Sequence, residues 1–559
     1  MHSHDGRYHI VYNGEVYNYR QLRQEVESSV SFESNCDTEV VLQLFIAQGP
    51  SMLDKLNGMF AIAIWDSSTK QLFLARDRLG VKPLYYAIYE GKLYFASEPK
   101  ALFAAGVPAE FNSETWEELL CFRYIAGERT PFSGVKRLLP GHYLIWQDGK
   151  IVTKRWWNLS ERAQSLQSGS VEDATTWYRD IFDDSVSLRR ISDVPVGVLL
   201  SGGLDSSSVA ASLGAQGARD AACFTMRFSD SYYDEGAIAK SVTTKWGLAF
   251  HECFLQPENL LERLEQASWF SDDPLIHGND AHLWAVAELA KPHVKVLLSG
   301  EGADETLGGY IRYQPLRWPQ LLQMARLAKP FVQLTGKVST RANKLLRFLQ
   351  LGQLDRFVLF NSSDVVPADL REIGFETTGA LPFREEILAE AISLYPTEPM
   401  RQVMYYDQHT FLCSLLDRND RMTMAASIEC RVPFLDFRIV EQLAALPTQQ
   451  LIWGKSTKQL IRGAFEDRLP TSVLQHRKWG FGVPWGKYMR ENPLLRAQLE
   501  AIPISEPICN GPFDCHRLRQ IIDEFLNGND RRMLLLRQLL LVAIWHRTYF
   551  QRANHLQLR

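Results

Sequence analysis

Two continuous apolar runs, each breaking into small residues and then acidic ones, constrain this chain more than any other feature. Val194-Pro195-Val196-Gly197-Val198-Leu199-Leu200 leads into Ser201-Gly202-Gly203-Leu204-Asp205-Ser206, and Val294 to Leu298 leads into Ser299-Gly300-Glu301-Gly302-Ala303-Asp304-Glu305. Apolar runs that do not alternate suit strands covered on both faces, as in a parallel sheet, and such sheets take ligands beyond the carboxyl ends of their strands. A helical pattern follows each run, so both turns are expected at one edge of one α/β sheet. In the first turn, Gly202 and Gly203 let backbone approach an anion, Ser201 and Ser206 add hydroxyl groups, and the next helix presents free N–H groups and its positive dipole end. That combination suits phosphate.

Before residue 159 the texture differs. Tyr8 to Tyr12, Phe60 to Trp65, Leu72 to Ala75, Leu84 to Tyr89 and Leu93 to Ala96 are rich in β-branched and aromatic residues, with Glu90-Gly91 placed to turn the last two into a hairpin. Thr38 to Gln48 carries apolar residues at helical spacing, and Asp37 is placed to cap it. The pattern predicts an antiparallel sheet with a few helices over 1–158, a polar linker over 159–173 and a mostly helical α/β unit over 174–559. With 559 residues, 46% hydrophobic and 23% charged, the chain has material for several folded cores and none of the signs of disorder.

Charge and cysteine usage remove other classes. Lysine and arginine number 61 against 65 aspartate and glutamate, so no basic field invites nucleic acid. The eight cysteines are scattered without a C-x-x-C pair and read as reduced thiols rather than disulfide staples or zinc ligands. The longest apolar run, Leu539 to Trp545, is too short to span a bilayer, and a cytoplasmic protein is expected. Gly454-Lys455-Ser456-Thr457 imitates the end of a Walker A loop, but Gln449 stands where its first glycine belongs. Gly480-Phe481-Gly482 runs into Val483-Pro484-Trp485 and fails the dinucleotide pattern.

The motifs resemble those of the glutamine-using asparagine synthetases. Ser201 to Ser206 looks like their pyrophosphate loop and Ser299 to Glu305 like their second loop. Further matches are Asp420-Arg421-Met422-Thr423-Met424-Ala425, Glu429-Cys430-Arg431-Val432-Pro433-Phe434-Leu435-Asp436, Lys458-Gln459-Leu460-Ile461-Arg462 and Arg477-Lys478-Trp479-Gly480-Phe481-Gly482-Val483-Pro484. Nearer the start, Asn13-Gly14-Glu15-Val16-Tyr17-Asn18-Tyr19, Asp37-Thr38-Glu39-Val40 and Ala75-Arg76-Asp77-Arg78-Leu79-Gly80-Val81-Lys82-Pro83-Leu84 resemble the glutaminase half. The match is collinear and misses only a stretch around 320 to 400.

The resemblance implies a two-part enzyme. An N-terminal-nucleophile glutaminase of α/β/β/α build would release ammonia, and an α/β ATP-pyrophosphatase unit with a parallel sheet would activate a carboxylate as its acyl-adenylate, using ATP and Mg²⁺. By the same resemblance, Leu199, Ser201, Gly202, Gly203, Asp205, Ser206, Met226, Ser299 and Gly300 bind ATP, although Met226 could equally be core filler. Asp205 and Asp304 hold Mg²⁺, helix capping being their plainer reading. Glu301 meets the incoming ammonia or orients the acceptor carboxyl, and Lys458, with Lys455 as its nearest competitor, lies near the α-phosphate. Asn13, Gly14, Glu15 and Asp37 belong to a glutamine pocket, Asp37 on the substrate's ammonium. The implied partners are small molecules: aspartate or another carboxylic acid, glutamine or ammonia, and ATP. A homodimer is a candidate assembly, with neither nucleic acid nor membrane expected.

One departure stands at the start. The family's glutaminase nucleophile is a cysteine that becomes residue one after methionine removal, with its own amine as base, whereas here His2 follows Met1. Cys36 has no free amine beside it and reads as a packing residue. The opening residues resemble a stretch well inside the family's first domain, so that domain is expected to lack its first strands and glutamine hydrolysis is not expected. The runner-up function is the same adenylation serving a β-lactam synthetase, a peptide cyclase or an amidotransferase acting on a saccharide or other acid. Glu301, where the β-lactam enzymes carry Tyr, and the retained glutamine-recognition residues Asn13 to Glu15 speak against the first two of these, while Asp273 to Asn279 departs from the best-known asparagine synthetases near the expected acceptor. A non-catalytic relative is the remaining alternative, and Asp205, Glu301, Asp304 and Lys458 argue against it.

Overall fold

The computed structural model describes residues 1–27, 30–166, 173–228, 234–254, 257–275, 277–318, 365–453, 457–476 and 483–557. Its first part is built on β1 (Tyr8–Val16), β2 (Gly58–Asp66), β3 (Gln71–Arg76), β4 (Tyr85–Tyr89), β5 (Lys92–Ala96), β6 (Val135–Arg137), β7 (His142–Gln147) and β8 (Lys150–Arg155). They form two antiparallel sheets, β1-β2-β3-β7-β8 and β5-β4-β6. Period-two alternation decides which layer each side chain enters. Phe60, Ile62, Ile64, Phe73 and Ala75 pack with Val40, Val41 and Leu44 of the helix Asp37–Gln48, whereas Ala61, Ala63, Leu72 and Leu74 pack with Leu84 and Tyr86 of the second sheet. Tyr85 and Ala87, on the far side of β4, meet Leu102 and Phe103 of the helix Pro99–Ala104 together with Trp545 and Tyr549. The result is an α/β/β/α sandwich whose outer helical layer is completed by the C-terminal helix Met533–Gln557.

Two local expectations need correction. Asp37 does not cap its helix: Cys36 holds the N-cap position, and Asp37 Oδ2 instead accepts from the Tyr12 hydroxyl at 2.8 Å and the Val16 N–H at 2.9 Å. The polar stretch expected as linker from residue 159 begins as a helix, Leu159–Leu166. Asn158 Oδ1 takes the Ser160 N–H at 2.9 Å, and Leu159 and Ala163, four residues apart, are buried in the core beside the helix Phe437–Ala445. A single capping side chain and a two-residue apolar stripe suffice once a neighbouring helix covers that stripe.

The second part carries β9 (Val196–Leu199), β10 (Ala222–Arg227), β11 (Ala249–Phe254), β12 (Val296–Leu298) and β13 (Glu429–Arg431), all parallel, in the order β11-β10-β9-β12-β13. Val198, Cys223 and Leu298 pack toward the helices Leu204–Ala215 and Gly236–Trp246, while Ala222, Phe224, Met226 and Leu297 pack with Trp284 and Ala287 of the helix Asp280–Ala290. Both faces are thus covered, as the unbroken apolar runs predict. From β9 the chain winds outward through β10 and β11, then returns to lay β12 on the other side of β9. Strand order therefore reverses between β9 and β12, and the crevice beyond that point is where such sheets hold ligands. Among the described residues, no helix is long and apolar enough to cross a membrane.

Candidate active site

The turns after β9 and β12 meet at this reversal. Ser201 N–H donates to Ser206 Oγ at 3.1 Å, and Gly203 N–H to Ser201 Oγ at 3.3 Å, which closes the first turn onto the start of the helix Leu204–Ala215. Gly202 has φ +86°, and a Cβ there would stand 2.9 Å from the Glu235 carbonyl oxygen, so glycine is needed for conformation and for space. A Cβ on Gly300 would fall 2.9 Å from Ser206 N and 3.0 Å from Asp205 Cβ; its absence lets the second turn press against the first. Ser299 is buried, takes the Glu301 N–H at 3.1 Å on its hydroxyl, and donates its own N–H to the Arg431 carbonyl at 2.9 Å. Leu199 is half-buried and Met226 buried, both in the apolar layer shared with the helix Asp280–Ala290.

Asp205 and Asp304 sit in the first turns of their helices, yet neither acts as the N-cap, which is Gly203 in one case and Gly302 in the other. Their carboxylates converge on one cation: Lys458 Nζ lies 2.6 Å from an oxygen of each. Lys458 is 4% exposed and has φ +55°, a left-handed conformation rare for lysine. Gly309 makes room for this triad, because a Cβ there would meet both Asp304 Oδ1 and Lys458 Cε at 2.0 Å. The two carboxylates supply hard oxygen donors focused on a single cationic position, which is the donor set Mg²⁺ takes alongside substrate phosphates. The residues present therefore fit the metal.

Glu301 points to another neighbour. Its carboxylate forms a close ion pair with Arg418, whose Nη1 also donates to Asn279 Oδ1 at 3.1 Å. His277, in the segment expected near the acceptor, is half-buried, and its desolvation together with the Arg418 and Arg123 charges pushes its imidazole well below the usual range. Behind Asp304, the buried Glu305 carboxyl is raised to about 8 by burial and by the Asp304 charge, and it accepts the Tyr310 hydroxyl at 2.5 Å. Arg418, Gly309 and Tyr310 escaped sequence reasoning. The glycine pair Gly308-Gly309 directly after the second turn was the available signal for one of them. Ile276, Gly454, Lys455, Ser456 and the Arg477 to Gly482 part of its motif lie outside the described residues.

The residues matched to a glutamine pocket gather at the end of β1. Asn13 Nδ2 donates to Ser97 Oγ at 3.1 Å, and a Cβ on Gly14 would collide with the Met59 carbonyl oxygen at 2.1 Å. Glu15 pairs with Arg431 of β13 at 3.2 Å, and Asp37 holds the Val16 N–H as described. Burial raises the Glu15 carboxyl to about 7 against the opposing pull of Arg431, with Asp37 and Glu429 adding repulsion. Folding therefore favours the protonated form, so the contribution of Glu15 to stability is present below its ordinary value of 4.5 and lost as pH rises through about 7. Glu15→Gln should remove this dependence: relative to wild type, the variant gains on the order of 2 kcal/mol between pH 4.5 and pH 8. Urea midpoints at the two pH values check it, and an unchanged difference between the proteins would refute the assignment.

Comparison with known proteins agrees with this geometry. The asparagine synthase family model matches residues 178–547, and the glutamine amidotransferase domain model matches residues 1–157. Asparagine synthetase [glutamine-hydrolyzing] 1 of Bacillus subtilis is 32% identical over 86% of this chain and 76% of its own length. A putative asparagine synthetase [glutamine-hydrolyzing] of Mycobacterium bovis is 30% identical over 98% of this chain and 85% of its own. Amidase chyE of Penicillium rubens is 31% identical over 80% and 72%. With a family match across the whole parallel-sheet unit and relatives of this coverage, the chain belongs to the asparagine synthase family.

Proposed function

We propose that this protein converts a carboxylic acid, L-aspartate first among candidates, into its amide through an acyl-adenylate, with nitrogen from glutamine or ammonia and release of AMP and pyrophosphate. The observation that carries the reading is the meeting of Asp205, Asp304 and Lys458 at the β9–β12 reversal, beside the Ser201–Ser206 turn. In the first step an oxygen of the acid's carboxylate bonds to the α-phosphorus of ATP, and pyrophosphate leaves with the electron pair of the broken P–O bond. The turn's backbone N–H groups and serine hydroxyls cradle the phosphates, and Lys458 offsets charge that builds at the α-phosphate. Asp205 and Asp304 would hold Mg²⁺, which supplies positive charge for the departing pyrophosphate when bound. In the second step the nitrogen of ammonia bonds to the acyl carbon, its proton passes to the Glu301 carboxylate, and AMP leaves with the electron pair of the broken C–O bond.

In this reading Leu199, Met226, Ser299 and Gly300 line the adenosine side, and Asn13, Gly14, Glu15 and Asp37 form one wall of a glutamine pocket. A different acid is the second reading, favoured by the half-buried, uncharged His277 in the acceptor segment, which offers Ser414 a hydrogen-bond partner at 3.3 Å rather than offering a substrate a charge. The test is to incubate the protein with ATP, Mg²⁺, ammonium and each of a panel of acids, and to separate the nucleotide products. AMP with pyrophosphate is expected, with aspartate giving the highest rate. ADP as the product would overturn adenylation, and a higher rate with another acid would replace aspartate.

A further inference from the structure

The helix Phe411–Met424 faces two ways. Asp417 reaches Arg76 at 3.3 Å and Arg137 at 3.4 Å, Asp420 reaches Lys82 at 2.9 Å, and Arg421 donates to the Ser97 carbonyl at 2.5 Å. These spacings of three and four residues form one stripe that faces the first part of the chain, with Arg421 also pairing with Asp272 at 3.2 Å. Ser414 and Arg418, four apart, form a second stripe that meets His277, Asn279 and Glu301. Arg418 is 10% exposed at its side chain and Glu301 27%, so their pair is shielded without being sealed.

Asn279 shows what this stripe is for. It occupies the N-cap of the helix Asp280–Ala290, where an asparagine side chain ordinarily accepts a first-turn N–H and so stabilises the helix. It makes no such bond; its Oδ1 is turned to the Arg418 guanidinium instead. The segment before it is pinned, because Trp485 Nε1 donates to the Gly278 carbonyl at 3.2 Å and Asp280 takes the His277 N–H at 3.3 Å. A capping bond is therefore given up to fix the rotation of an arginine whose other Nη grips the candidate proton acceptor. Arginine's planar fork suits this task, since two fixed contacts define its pose.

We propose that Arg418 is the positioning residue of Glu301, and that Asn279 sets the pose of Arg418; the inference rests on the amide-forming reading above. Arg418 aims the carboxylate at the nitrogen step, in which the N–C bond forms, the proton goes to Glu301 and AMP leaves. It has no part in the earlier attack on phosphorus. The two half-reactions should then separate on mutation.

The experiment compares wild type, Arg418→Met, Arg418→Lys and Asn279→Ala in two assays: aspartate-dependent exchange of labelled pyrophosphate into ATP, and amide formation from saturating ammonium. Arg418→Met is expected to lower the kcat of amide formation by about 30-fold or more while exchange stays within about threefold of wild type. Arg418→Lys should recover at least part of the lost kcat by restoring one contact, and Asn279→Ala should show a smaller, several-fold loss confined to amide formation. Parallel loss in both assays would make Arg418 a structural residue and overturn the proposal, as would wild-type amide formation by Arg418→Met. Should Arg418→Met fail to fold, the Asn279→Ala and Arg418→Lys variants decide by the same split. Wild type that catalyses neither reaction with any acid would overturn the amide-forming reading itself, whereas wild type active in both with unsplit variants overturns only the role of Arg418.

Discussion

Lys458→Met should lower the rate of pyrophosphate exchange by about 100- to 1,000-fold, the range seen when one preorganised donor is removed from developing transition-state charge. The expectation follows from where the ammonium stands. It is buried between Asp205 and Asp304 at 2.6 Å from each, and methionine replaces it with a chain of similar length and no charge. The same substitution removes the ammonium that bridges the two carboxylates, so the melting temperature should fall in metal-free buffer. Added Mg²⁺ should restore much of the stability by returning positive charge to the carboxylates, but not the rate, because the lysine is proposed to act at the α-phosphate. Exchange within threefold of wild type would remove Lys458 from catalysis. A melting temperature that ignores Mg²⁺ in the variant would instead count against Asp205 and Asp304 as metal holders.

What could be read from the sequence depended on how local its cause was. β9 and β12 were visible because burial on both faces leaves an unbroken apolar run, and the turns after them because glycine and acidic residues cluster there. That the two turns touch follows from strand order, which the sequence suggested and the β9–β12 pairing supplies. Arg418 was not visible: it lies two residues before the matched motif at Asp420, and its function depends on Glu301 and Asn279, more than a hundred residues away. Asp37 was misread because a helix-start aspartate has an ordinary local use, and only the fold brings Tyr12 and Val16 to it. The C-terminal helix could not be assigned to the first sandwich from its own pattern, since Trp545 and Tyr549 look like any buried aromatic pair until β4 lies opposite them.

Lys82→Met should destabilise the joined protein by about 3–5 kcal/mol, the cost of leaving a buried charge without its partner. Lys82 is 1% exposed and Asp420 8% at their side chains, and their atoms lie 2.9 Å apart between the first part of the chain and the helix Phe411–Met424. Burial alone would lower the Lys82 ammonium from its usual range, and the charges of Asp420 and Glu429 more than reverse that shift. The pair is therefore mutually dependent: each charge is tolerated in the interior because the other is present. Removing both should be far milder than removing one, since a buried ion pair and an apolar pair of similar volume are often close in stability. Lys82→Met with Asp420→Leu should recover most of the loss, and the coupling across the double-mutant cycle should exceed about 2 kcal/mol. Urea midpoints of the four proteins measure it. A single variant within 1 kcal/mol of wild type, or a double variant no better than the single, would show that Asp420 finds another partner when Lys82 is gone. Arg421, the next residue on the same helix, already feels the Asp420 charge while tied to Asp272 at 3.2 Å, and is a cation able to take that place.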